Sequence, residues 1–308
     1  MKTKLAVVCV ALAAVGCKKN GTGTGGGGGG GGWFVGSEGL MQNVTPAGTP
    51  GHGYDLGSTA ELRGIACRYA GEAWVVGNAG TLLYTSDAGV TWSAQIVPTN
   101  ADLRTLATQD FGPVFVAGNG TFLVTKDTGA TWTELSDGTT AFRAMAAAQA
   151  GDTVLALADD GGLWSYDGSL KRTGTLAGMR ALAVSPDGQV ALAAGNGILM
   201  SRDAGATWSP LAVDASITFD DIRVADDGDA VAVGSAGAIA NIDAASGAVS
   251  VQHVGTANLH TVALDDTGYA AGDGGQILVT HDGGLTWMFG PIVNGTVWGA
   301  DEIGDGHR

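Results

Sequence analysis

One eight-residue pattern recurs through this chain at nearly constant spacing. It reads Thr85-Ser-Asp-Ala-Gly-Val-Thr-Trp92, Thr125-Lys-Asp-Thr-Gly-Ala-Thr-Trp132, Ser201-Arg-Asp-Ala-Gly-Ala-Thr-Trp208 and Thr280-His-Asp-Gly-Gly-Leu-Thr-Trp287. Degenerate copies without the Thr-Trp stand at Ser165-Tyr-Asp167-Gly168 and Asn241-Ile-Asp243. The six aspartates, at 87, 127, 167, 203, 243 and 282, are separated by 40, 40, 36, 40 and 39 residues. A fixed period of this length means that one supersecondary unit is repeated, because a single unit cannot bury its own apolar face.

Each unit reads as four short strands. Ala73-Trp-Val-Val-Gly77 passes through Asn78-Ala79-Gly80 into Thr81-Leu-Leu-Tyr84, and the aspartate motif follows. Matching second strands begin at Val114, Val154, Val190, Ala230 and Tyr269. One strand earlier stands another repeated motif: Leu62-Arg63, Leu103-Arg104, Phe142-Arg143, Met179-Arg180, Phe219-Asp220 and Leu259-His260. Four-stranded units of about 40 residues are propeller blades. WD repeats share that period, but no Trp-Asp pair occurs in the chain.

Six complete units run from Leu62 to Asn294, and the two ends supply a seventh. Val297-Trp298-Gly-Ala300 matches a first strand, and Trp33-Phe-Val-Gly36 matches a second strand. The expectation is an all-β, seven-bladed β-propeller over residues 33–308, closed by pairing N- and C-terminal segments in one blade. Residues Thr45 to Glu61, with Pro46, Pro50, His52 and Tyr54, replace that blade's aspartate motif and are expected to form a loop.

The aspartate motif resembles the Asp-box, or BNR repeat, of sialidase-like propellers and of photosystem II assembly-factor-like propellers. The resemblance implies that each box is a turn between the outer two strands of a blade. The residues agree: the Asp carboxylate accepts turn N–H groups, Gly takes positive φ, and the Trp ring holds the turn down. Asp87, Trp92, Asp127, Trp132, Asp203, Trp208, Asp282 and Trp287 are thus structural. One carboxylate per box falls short of the six to eight oxygens of a calcium site, so neither metal nor cofactor is expected.

The first 32 residues read as targeting. Met1-Lys-Thr-Lys4 is a basic start, and Leu5 to Val15 is an apolar run too short to span a bilayer. Ala13-Ala-Val-Gly-Cys17 resembles a bacterial lipoprotein signal, which implies removal of residues 1–16 and lipidation of Cys17. Residues 17–32, with eight consecutive glycines from Gly25, form a tether. A lipid-anchored protein of the cell envelope is expected, and Lys18 favours the outer over the inner membrane by analogy. With Cys9 in the signal and Cys17 the proposed anchor, Cys67 cannot make an intramolecular disulfide and reads as a small buried hydrophobe.

Function is less legible. The net charge of −15 excludes general nucleic-acid binding. Seven side chains occupy equivalent slots at the start of the first strands: Arg63, Arg104, Arg143, Arg180, Asp220, His260 and Trp298. Arginine forks suit carboxylate or phosphate, so Arg63, Arg104, Arg143, Arg180, His260 and Trp298 are candidate ligand-binding residues. A ladder of ion pairs between blades is an equal reading, with Glu61 and Asp102 two residues before Arg63 and Arg104. The assembly factors are likewise described as carrying an arginine patch, which favours binding. The expected role is non-catalytic: a monomer that binds a protein, peptide or glycan ligand, anionic if the arginines are free. A sialidase-like or other glycoside hydrolase is the alternative, although the Phe-Arg-Ile-Pro motif of sialidases is absent.

Overall fold

A computed structural model describes residues 32–302 except 45–49, 55–59, 69–70, 151, 226–227 and 265–267. The expected signal, Cys17 and all of the expected tether but Gly32 lie outside these residues. Seven four-stranded antiparallel sheets follow one another around a ring. The inner strand of each sheet is Leu62–Arg68, Leu103–Thr108, Phe142–Ala147, Met179–Val184, Phe219–Val224, Leu259–Ala263 and Val297–Glu302. The last belongs to the closing blade, called blade 1; the others begin blades 2 to 7 in chain order.

In blade 1 the C-terminal strand pairs with Gly32–Gly36, which pairs in turn with Met41–Val44. The two ends of the chain are thereby joined within one sheet, and the ring keeps no open edge between first and last blades. The segment after Val44, expected as a loop, instead contains a strand. Pro50–Gly53 pairs with Met41–Val44 through Gln42 opposite Gly53 and Val44 opposite Pro50. A proline is tolerated there because an edge strand needs only one of its two rows of hydrogen bonds, and Pro50 is its first residue. Tyr54 then packs on Trp33 with ring centroids 5.4 Å apart.

The core lies between blades rather than within them. Strand side chains alternate faces, so each sheet is apolar on both sides and packs against two neighbours. Phe115, Phe122 and Phe142 join blades 3 and 4, and Phe34 meets Tyr269 edge-on between blades 1 and 7. Cys67 is fully buried in the cluster that joins blades 1 and 2.

The aspartate turns share one geometry. In the turn of blade 3, Asp127 Oδ1 accepts the Thr131 N–H at 2.9 Å, and Oδ2 accepts the Thr131 hydroxyl at 2.6 Å. Thr125 Oγ1 donates to Asp127 at 2.7 Å and accepts the Gly129 N–H. Asp87, Asp203 and Asp282 repeat these bonds. Bonds to the charged form hold the carboxyls of Asp127, Asp203 and Asp282 down at about 2. The tryptophans differ in depth. Trp287 is buried and its indole donates to Gly284, Trp208 donates likewise to Gly205, and Trp92 and Trp132 are half-buried.

Candidate functional site: the ring of bulge residues

Every inner strand carries a bulge next to its first residue. Leu62 pairs with Gly77 and Gly64 with Val76, so Arg63 is passed over. The same skip omits Arg104, Arg143, Arg180, Asp220 and His260. In blade 1 it omits Trp298. A bulge bends its strand and re-aims the extra side chain. The seven residues expected in equivalent slots therefore do occupy equivalent positions, one per blade, at the same end of the ring. That end is called the mouth.

A second set of seven holds the bulges in place. Ser37, Asn78, Asn119, Asp159, Asn196, Ser235 and Asp273 each follow the second strand of their blade. Each donates its backbone N–H, at 2.8–3.0 Å, to the carbonyl two residues before the bulge residue. In six blades the preceding residue is glycine, because that carbonyl leaves no room for a Cβ. A Cβ on Gly118 would stand 1.9 Å from the Asp102 oxygen. Blade 4 carries Ala158 at this position.

Four side chains of this second set, Asn78, Asn119, Asp159 and Asp273, partner those of the first. Arg63 donates to Asn78 Oδ1 at 2.8 Å and to Glu61 at 2.5 Å. Arg104 reaches across to blade 4, where Asp159 Oδ2 accepts at 2.6 Å, while the other oxygen of Asp159 accepts from Arg143 at 2.9 Å. Arg180 donates to Asp220 Oδ1 of the next blade at 2.7 Å. His260 lies between Asp220 at 3.0 Å and Asp273 at 2.8 Å. Its ring also lies against Trp298, centroids 4.8 Å apart. Burial opposes charge on His260, but the bonds to Asp220 and Asp273 outweigh it and its pKa is raised.

Each of the four arginines thus has a carboxylate. Of the two acids expected to pair, Glu61 does bind Arg63. Asp102 instead accepts the Ala79 N–H at 2.9 Å and the Asn119 amide at 3.5 Å. The carboxylates that bridge blades are Asp159 and Asp220, and Asp273 pairs with His260 within blade 7. For Asp159 and Asp273 the available signal is an acid directly after the second strand, 16 and 13 residues beyond the bulge residue, whereas Asp220 is itself a bulge residue. Exposure is uneven. The Arg63 and Arg104 side chains are only 11% and 8% exposed, whereas Arg143 and Arg180 reach 22% and 31%. Glu61, Asp159 and Asp273 are 41%, 42% and 45% exposed. Glu61 and Asp159 therefore lie outside the guanidinium groups that they bind, whereas Asp220, 8% exposed, lies beneath Arg180.

Deeper in blade 6, Asp221 is fully buried. It accepts the N–H groups of Ile222 and of Val262 in blade 7, both at 2.9 Å. Burial pushes its carboxyl up to about 6, although Arg223 stands 3.7 Å away. Among the described residues no group of three or more His, Cys, Asp or Glu side chains is placed to hold a metal ion.

Fold and mouth together define a seven-bladed β-propeller with a polar, charge-paired ring. No family model matches the chain, and no curated protein matches it. Solved structures show the same fold. A YCF48 structure described as bound to D1 peptide aligns with TM-score 0.61 at 19% identity, over 77% of this chain and 84% of that one. YCF48 from Cyanidioschyzon merolae aligns with TM-score 0.59 at 19% identity, over 77% and 87%. Virginiamycin B lyase from Staphylococcus aureus aligns with TM-score 0.62 at 16% identity, over 75% and 84%.

Proposed function

We propose that this chain is a lipid-anchored, non-catalytic envelope propeller of the Asp-box class that binds a protein or peptide segment across its mouth. The observation that carries the reading is the set of seven bulges. Each bulge places a polar or aromatic side chain at one end of the ring, and Arg143, Arg180 and Trp298 stay partly exposed there. A propeller of the same fold has been solved with a peptide, which supports the ligand class by analogy.

The charge pairing refines the recognition. Four arginines face Glu61, Asp159 and Asp220, so the ring carries no free field to attract a polyanion. An anionic group of the ligand gains Arg143 or Arg180 only by displacing the carboxylate already there. Backbone carbonyls and amides of an extended peptide meet both donors and acceptors without that exchange. Trp298, half-buried beside His260, offers an apolar contact.

The test uses random peptides displayed on phage and selected on the purified protein. Arg143→Ala with Arg180→Ala is expected to weaken selected peptides at least about tenfold, the loss of roughly one charge-assisted bond, with little change in melting temperature. Unchanged binding with a large fall in stability would assign the ring to structure alone. Turnover of a fluorogenic sialoside, lost in the same variant, would replace the reading with a hydrolase. For the anchor, Cys17→Ser is expected to move the protein from the membrane fraction, preferentially the outer membrane, to the soluble fraction.

A further inference from the structure

The end of the ring opposite the mouth is the end from which the tether departs. In blades 2 to 7 this end carries both the turn from first to second strand and the aspartate turn. The Ala88 N–H, for example, bonds the Gly71 carbonyl across the two turns of blade 2. In blade 1 the corresponding first turn is replaced by the chain ends, because Gly32 pairs with Glu302. The chain from Cys17 therefore enters the propeller on this face, and residues 18–32 reach at most ~50 Å when fully extended.

Large apolar side chains stand exposed on the same face, on one side of the ring only. The aspartate turns of the two blades that flank blade 1 carry Val90 and Leu285, 69% and 68% exposed. The equivalent residues in blades 3 and 5 are Ala130 and Ala206. Blade 3 adds Phe111, 71% exposed, in its first turn, and Met288 continues outward from the Leu285 turn at 59%. Turn geometry does not call for Val90 or Leu285, since alanine serves at the equivalent position in blades 3 and 5. Their arc spans the blades around the tether root.

We infer that this arc is a bilayer-contacting surface, with Val90, Phe111, Leu285 and Met288 resting in the headgroup region beside the lipidated Cys17. The inference rests on the lipid-anchor reading. The tether root names the occupant: an anchored chain that enters here keeps this face within its own reach of the bilayer. Charge narrows the lipid. Asp87, Asp127, Asp203 and Asp282 ring the same face as exposed carboxylates held ionised by their turns. Contact is therefore apolar, suited to zwitterionic lipid and weakened by anionic lipid. The mouth then faces away from the membrane, open to a partner.

The test uses the full lipidated chain in phosphatidylcholine vesicles. Phe111→Cys, Leu285→Cys and Thr256→Cys each carry an environment-sensitive label; Thr256 lies exposed at the mouth end, and buried Cys67 stays unlabelled. The expected result is a blue shift, with quenching by brominated lipid, at 111 and 285 and none at 256. Adding phosphatidylglycerol should reduce both effects. Vesicle-bound protein with no shift at 111 or 285 overturns the contact and leaves the anchor standing. Protein that fails to sediment with vesicles overturns the anchor and the contact together. A shift seen only in native membranes, and not in pure lipid, assigns the arc to a protein partner and overturns the bilayer reading.

Discussion

Asp220 of blade 6 places one carboxylate oxygen 2.7 Å from the guanidinium of Arg180 in blade 5. Its other oxygen is 3.0 Å from His260 in blade 7, so one side chain fastens three blades. Removing it leaves Arg180 and His260 without that carboxylate. Asp220→Ala is expected to cost about 2 kcal/mol in urea unfolding, less than a fully buried pair because Arg180 is partly exposed.

The same variant has a spectroscopic signature. The raised pKa of His260 means that its contribution to stability is complete below about 6.5 and is lost as pH rises through the folded-state value. In Asp220→Ala the His260 ring should titrate at lower pH, followed by NMR of the imidazole protons. An unchanged titration would show that Asp220 does not hold the charge.

The aspartate turns set the acid limit. Asp127, Asp203 and Asp282 titrate at about 2 in the folded chain, against 3.8 for a free carboxyl. Depressed values stabilise above the unfolded pKa, and that contribution is lost as pH falls through about 2. Asp127→Asn cannot accept both Thr131 bonds and should flatten the loss of melting temperature between pH 4 and 2. A parallel curve would remove the turn from the acid transition.

Asp221 acts with the opposite sign. Its carboxyl is raised to about 6, so the folded chain binds the extra proton and Asp221 costs stability as pH rises from about 4 to 6. The difference in unfolding free energy between the parent and Asp221→Asn should change across that interval, the variant losing less. Its absolute stability should still fall, because an amide nitrogen cannot accept the N–H of Val262 or Ile222.

Gly118 tests the bulge itself. A methyl group there meets the Asp102 oxygen at 1.9 Å, so Gly118→Ala must push the bulge of blade 3 outward. The expected cost is about 1–3 kcal/mol, with weaker mouth binding because Arg104 is displaced. Stability equal to the parent would show that blade 3 relaxes as freely as blade 4, which carries Ala158.

Much of the architecture could be read from local signals. Thr-x-Asp-x-Gly-x-Thr-Trp closes its own turn through residues no more than four apart, so four copies announce four blades. The matched strand motifs supply the others, and Trp33 with Trp298 announces the closure. The outer strand Pro50–Gly53 escaped because two prolines and a missing aspartate motif obscure it. An edge strand is specified by the partner it pairs with more than by its own residues.

The bulge ring divides along the same line. Its positions follow from a repeated dipeptide, since a bulge is a local feature of one strand pair. The state of its arginines does not. Asp159 lies 55 residues from Arg104, and Asp220 lies 40 from both Arg180 and His260. Those distances are one blade or more, and only packing of one blade on the next sets the start of one inner strand beside the start of the next, or beside the end of the next blade's second strand. Chain order alone determined that seven polar or aromatic side chains share the mouth. Packing of blade on blade decided which carboxylate each arginine meets, and that Asp159 lies outside its arginines while Asp220 lies beneath Arg180.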